Sequence, residues 1–213
     1  KKIILSVVLA ASCIAASAQG FGVKAGVNSS NLKNLAAEGV DGIKNAFYLG
    51  GYVGAVVDIN LPLNLGVRVE PSFAIQGSTQ VSETEILGNT IKTNYKVNTN
   101  YVNIPVLAEY KLLGGSLAVM AGPQFGFCVG ANNVVKVNDE DPTTTKLDSE
   151  DYNTFNFEIV VGATYMVTRN IGVDFRYNLG TTNLFPEQKV GDVVVTEANG
   201  KTSNFQLGVC FMF

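Results

Sequence analysis

The chain has no histidine and no tryptophan, only three cysteines in 213 residues, and a charged fraction of 15%. Without histidine, a Ser-His-Asp triad, a histidine zinc site and an imidazole general base are all excluded. The scarcity of charge is as informative. Ordinary soluble domains carry about 25% charged residues, and a soluble sandwich of this length needs Lys and Glu over its wet face. The net charge of −3 comes with no basic patch, which argues against nucleic acid as a partner. No apolar run is long enough for a spanning helix, which takes about 20 residues. The glycines at 50, 51 and 54 lack phosphate-loop spacing and read as relief of crowding inside a strand.

What the chain does have is alternation. Polar and apolar residues interleave through 21–27, 47–59, 65–75, 102–110, 117–129, 155–165, 171–179 and 203–213. One parity is apolar, as in Val53, Ala55, Val57 and Ile59, or Val102, Ile104, Val106 and Ala108. The other holds Lys24, Asp58, Arg68, Glu70, Glu109, Glu158, Asp174 and Arg176, among many Gly, Asn and Gln. Period two means a strand with two chemically different faces. Repeated eight times with one face free of charge, it predicts an all-β fold: an eight-stranded antiparallel, up-and-down barrel standing in lipid.

The connectors agree. Short ones at 60–64, 112–115 and 167–170 alternate with long ones near 28–46, 77–100, 130–153 and 181–202. Three tight periplasmic turns and four long external loops are what such a barrel needs. Aromatics on the apolar parity fall into two girdles, Phe21, Tyr110, Tyr165, Phe211 and Phe213 at one end and Phe47, Phe73, Phe125, Phe127, Phe155 and Phe205 at the other. Residues 1–18 read as a secretory signal peptide, with Lys1 and Lys2 ahead of an apolar stretch and Ala16-Ser17-Ala18 as cleavage site. A lipoprotein reading through Cys13 is weaker, because the expected leucine is missing. The barrel domain is then 19–213. Cys128 and Cys210 remain, at opposite mouths and beyond disulfide reach.

Two groups of residues invite a functional reading. Lys24, Arg68, Lys111 and Arg176 should face Asp58, Glu70, Glu109 and Asp174 inside the half nearer the periplasm. Equal numbers of each sign suit a buried set, since an uncompensated charge is costly there. The network reads as a salt-bridged plug, because eight strands enclose just enough room for side chains. A narrow ion or proton path is the alternative. The second group is the acidic stretch 139–151, whose oxygens could take calcium or bridge to lipopolysaccharide phosphates. It lacks the spacing of a calcium loop and reads as solvated chain. No catalytic residue, metal site or cofactor is expected, and Glu70 and Glu109 beside Arg68 and Lys111 are poorly placed for acid–base work.

Particular stretches resemble the PorT-like outer-membrane barrel family, a relative of the OmpA/OmpX-type eight-stranded barrels. Tyr101-Val-Asn-Ile-Pro-Val-Leu-Ala-Glu-Tyr-Lys111 is similar to its signature strand, and Phe21 to Leu32 to its first strand. Arg68 to Gly77, Ala121 to Phe125 and Phe175 to Gly180 resemble its third, fifth and seventh. The terminal Phe205-Gln-Leu-Gly-Val-Cys-Phe-Met-Phe213 is similar to the signal read by the barrel assembly machinery, with Phe211 and Phe213 as its core. The resemblance implies a cell outer-membrane location, and partners in outer-membrane lipid, lipopolysaccharide and the assembly machinery. An extracellular or envelope protein partner is left unidentified. It implies no single activity. The expected role is structural or binding, through external loops. The alternatives are a narrow pore or accessory component of an envelope transport or secretion machine, and a soluble periplasmic barrel holding a small apolar ligand.

Overall fold

Alternation becomes geometry through the strand ladder. In the computed structural model the described residues are 20–33, 43–86, 89–137, 141–147, 152–185, 188–190, 193–196 and 199–213. They form β1 (Gly20–Lys33), β2 (Ile43–Ala46), β3 (Tyr48–Asn60), β4 (Leu65–Val69), β5 (Ser72–Ile86), β6 (Asn89–Leu112) and β7 (Leu117–Val137). There follow β8 (Thr143–Lys146), β9 (Phe155–Met166), β10 (Ile171–Phe185), β11 (Gln188–Val190), β12 (Val193–Thr196) and β13 (Asn199–Met212). Every pairing is antiparallel, and β1 bonds to β13, so the sheet closes on itself. The ring runs β1, β3, β4 with β5, β6, β7, β9, β10 and β13, which makes eight staves. Closure removes the open edges that hydrocarbon would not tolerate.

Pro71 divides the third stave into β4 and β5, because proline has no N–H to give the ladder. The neighbours still hold the break: Ala55 N–H donates to the Pro71 carbonyl at 2.9 Å and Glu70 N–H to that of Pro105 at 3.2 Å. Three tight turns and both described chain ends share one rim. At 61–64 the turn places Leu63 and Asn64 at positive φ, and at 113–115 Gly114 and Gly115 take φ of 67° and 95°. Glycine adopts that region without strain. In the 167–170 turn the Thr168 hydroxyl accepts from the Ile171 N–H at 2.9 Å, as Ser and Thr do in turns.

The other rim departs from the sequence reading in what fills the long connectors. Residues 77–100 read as a loop, yet β5 and β6 pair without interruption from Ser72 opposite Asn103 to Ile86 opposite Asn89. The stretch is rich in Thr, Val, Tyr and Ile, residues that favour a pleated surface. Its alternation is polar with polar, which is why it shows no two-faced signal. β7 likewise runs on to Val137, and β8 from the acidic connector pairs with it. Strands of 24 and 21 residues far exceed the 9–11 needed to cross a bilayer. A sheet ordered β2, β5, β6, β7, β8 therefore rises beyond the lipid band. The predicted leader lies outside the described residues, as does most of the acidic cluster around 139–151.

The parity assignment holds on both faces, except that Val57, an outward position, is buried at 8% exposure. Phe21, Val23, Val53, Phe73, Phe125, Val161, Phe175, Val209 and Phe213 are exposed, while Lys24, Arg68, Glu70, Glu109, Asp174 and Arg176 are buried. Charge inside and hydrocarbon outside is a soluble protein inverted, and it fits a lipid surround.

Candidate functional site

The interior is layered, and β6 displays the sequence of layers on one strand. Its inward positions run Lys111, Glu109, Leu107, Pro105, Asn103, Tyr101, Thr99 and Val97 from the turn rim upward. Charge comes first, then apolar packing, then amides, then an aromatic and apolar cap.

The charged layer brings together all eight residues foreseen. Lys24 from β1 reaches Glu70 and Asp174, each at 2.8 Å. Arg176 from β10 places one terminal nitrogen 2.6 Å from Glu70 and 2.8 Å from Asp174. Arg68 makes a two-pronged contact with Asp58 at 2.6 and 2.9 Å, lies 2.9 Å from Glu109, and donates to Thr164 at 3.0 Å. Thr164 passes the chain on to Asp174 at 2.6 Å. Lys111, nearest the rim, is 3.2 Å from Glu109 and bonds to Asn60. Glu109 is held by charge rather than by aligned hydrogen bonds, since the Arg68 Nε–H already points to Asp58. Lys24 also lies 5.2 Å from the centre of the Tyr52 ring, a cation–π contact. Arg176 reaches the Met120 sulfur. Met120, paired with Glu109, and Ala118, paired with Lys111, pack with Leu107 and Val160 in a small apolar cluster that flanks the layer and rises from it.

The second layer was not singled out in the sequence. Glu158 is fully buried and takes four neutral donors: Gln124 at 2.5 Å, Asn156 at 2.9 Å, Thr202 at 3.0 Å and Asn178 at 3.3 Å. Around it, Asn178 Oδ1, both side-chain polar atoms of Asn204 and both of Gln76 are buried without a partner. On the β1 side, amide and hydroxyl groups complete the wall itself. β3 pairs with β5 only from Tyr52 to Gly54. Above that, Asn28 donates to the Ile75 carbonyl at 3.0 Å, and Ser30 exchanges two 2.9 Å bonds with Gly77. Gly50 permits this, since any Cβ there would strike Ile75 and Asn28. The Asn-Ser-Ser run at 28–30 was the available signal, a polar triplet just past the alternating part of β1.

The cap gathers Val97, Tyr101, Cys128, Ala131 and Tyr152, with Leu147 packed against it. Tyr152 comes from the connector after β8 and folds inward. Both remaining cysteines are free and buried, Cys128 in this cap and Cys210 opposite Lys24 in the charged layer. The seam between first and last strands has its own fastening. Phe213 N–H donates to the Phe21 carbonyl at 2.8 Å, and the two rings stack with centres 5.6 Å apart. Phe211 meets Phe213 edge-on at 5.4 Å.

A closed ring with a lipid-compatible exterior and a filled, polar interior defines a transmembrane β-barrel. Residues 16–186 match the family described as outer membrane protein beta-barrel domain, and the chain belongs to it, which places the protein in the outer membrane. No curated protein matches the chain. Among solved structures it is similar to Ail of Yersinia pestis, solved alone and with the heparin analogue sucrose octasulfate. That pairing has 12% identity over 91% of this chain and 98% of Ail, with a TM-score of 0.45. Neisserial surface protein A gives 14% identity over 91% and 97% with a TM-score of 0.45. OprG of Pseudomonas aeruginosa gives 14% over 92% and 97% with a TM-score of 0.37. The fold assignment rests on the closed ladder and the family match.

Proposed function

We propose that this barrel is a non-enzymatic display platform, closed within and binding partners through the sheet and connectors at its outer rim. The observation that carries the reading is the knot of Lys24, Glu70, Asp174 and Arg176, which ties β1 and β10 to the third stave across the lumen. A cross-braced interior makes a rigid base, and rigid scaffolds are where binding segments are most often mounted. The raised sheet offers the binding face: Thr143 to Lys146 of β8 are all exposed beside β7. The stacked Phe21 and Phe213, with Phe211, support the terminal strand as the assembly signal, and residues 1–18 serve as the leader that brings the chain to the periplasm.

A second reading is a narrow pore or an accessory part of an envelope transport machine, as the PorT-like resemblance suggests. The amide layer favours it, since a polar wall with unpartnered groups is what a water path requires. One pair of experiments separates the two. Purified barrel in planar bilayers should stay at background conductance, while photo-crosslinkers at Thr144 or Lys146 in intact cells should capture a partner. Steady single-channel steps whose ion selectivity changes in Arg68→Ala would overturn the platform and establish the pore.

A further inference from the structure

We infer that the amide layer is a binding site for a dehydrated monovalent cation of the sodium or potassium class, with Glu158 as its charged ligand. The argument begins with the interior charges. In the layer below, Lys24, Arg68, Lys111 and Arg176 answer Asp58, Glu70, Glu109 and Asp174, and all are committed to one another. Glu158 is buried to 1% exposure, and among the described residues no cation meets it. Leu107 and Val160, one inward step above Glu109 and Gly162 on their strands, lie between it and the charged layer, and the cap of Tyr101 and Tyr152 lies toward the outer mouth. An isolated carboxylate in such surroundings is costly, and neutral donors repay only part of that cost.

The ligands for a cation are already there. Asn178 and Asn204 are fully buried, stand opposite each other on β10 and β13, and each leaves its side-chain oxygen without a partner. Asn178 lies within 3.3 Å of the carboxylate, and Thr202, two residues from Asn204 on the same strand face, lies at 3.0 Å. An amide carries oxygen and nitrogen on a fork of nearly identical shape, so a half-turn of Gln124 or Asn178 changes a donor into an oxygen ligand. One carboxylate with several amide and hydroxyl oxygens is a hard, all-oxygen set. Its single negative charge is neutralised by one monovalent ion, whereas a divalent ion would leave a positive charge buried.

The site goes beyond the platform reading and stands independently of it. The test uses the folded barrel in detergent, exchanged between sodium, potassium and N-methylglucamine chlorides at equal ionic strength. The midpoint of its heat-induced gel shift should rise saturably with sodium or potassium and stay flat with N-methylglucamine. A 23Na resonance broadened by the protein should sharpen on adding potassium. Glu158→Gln keeps the shape and the donors, so it should fold and lose both responses. Asn178→Ala keeps the carboxylate and should raise the half-saturating sodium concentration several-fold, which tests the site separately. A wild-type midpoint indifferent to the cation, as for a Glu158 that simply carries a proton, would overturn the site. So would a sodium response retained in Glu158→Gln.

Discussion

The lower and upper halves of the lumen are built from the same staves and the same inward parity, yet they solve the problem of burial in opposite ways. Below, formal charges occur in balanced numbers and each is within ion-pair reach of an opposite. Above, one carboxylate is set among neutral amides, and several of those amides have polar atoms with no partner. The difference is one of stakes. A missing partner in the lower half strands a full charge, whereas above, at every position but Glu158, it strands only a dipole. The lower half must therefore be complete, and the upper half is free to be adaptable.

The sharpest way to break the comparison is to remove one member of the complete half. Arg68→Ala deprives Asp58 and Glu109 of the guanidinium they share, which also lies 3.9 Å from Glu70. Truncating one partner of a buried pair costs about 3–5 kcal/mol. Urea unfolding of the barrel in lipid vesicles should show a loss of that size. A loss under about 1 kcal/mol would mean that water reaches the layer and that it is not a plug.

The lipid face sharpens the contrast, because it tolerates no charge at all. Val161 is exposed on the wall beside the inward-facing Val160 and Gly162. Val161→Arg near the bilayer midplane should cost about 2–4 kcal/mol in the same assay. Gly162 faces the lumen, where a Cβ would strike Arg176 and the Phe175 carbonyl. Gly162→Ala should fail by crowding instead, at about 1–3 kcal/mol. The two penalties can be told apart by lipid. Thinning the bilayer should relieve the first and leave the second unchanged.

These regions were not equally legible in the sequence. The charged layer could be read because inward parity restricts where a charge can sit, and because opposite signs at Arg68 and Asp58, or Glu70 and Arg176, leave few other ways to pair. Eight two-faced segments were likewise enough for the ring, since a one-residue slip would turn every side chain to the wrong medium. The amide layer was hidden by its chemistry. Asn, Gln, Ser and Thr are as much at home in a solvated connector as in a lumen, so Asn178 and Asn204 stood on the inward parity with nothing to mark them as part of a site, and Thr202 fell in a connector. Glu158 stood on the inward parity but had no nearby opposite charge to mark it as part of a site. The raised sheet escaped for a related reason: once both faces of β5 and β6 leave the bilayer, nothing enforces two-sided chemistry.

The smallest expected effect falls in the upper half. Gln76 is buried at 1% exposure with both its amide oxygen and its amide nitrogen unpartnered. Replacing an unsatisfied polar group by an apolar one of similar shape is close to neutral, or stabilising, because no bond is lost and a desolvation cost is removed. Gln76→Leu should therefore move the urea midpoint by no more than about 1 kcal/mol, and upward if at all. The same substitution of a buried amide whose hydrogen bonds were all made would cost about 1–3 kcal/mol. A loss of that size would show that the Gln76 amide is held by ordered water. The upper lumen would then be a hydrated passage rather than a dry amide layer, and the two halves would differ in permeability as well as in charge.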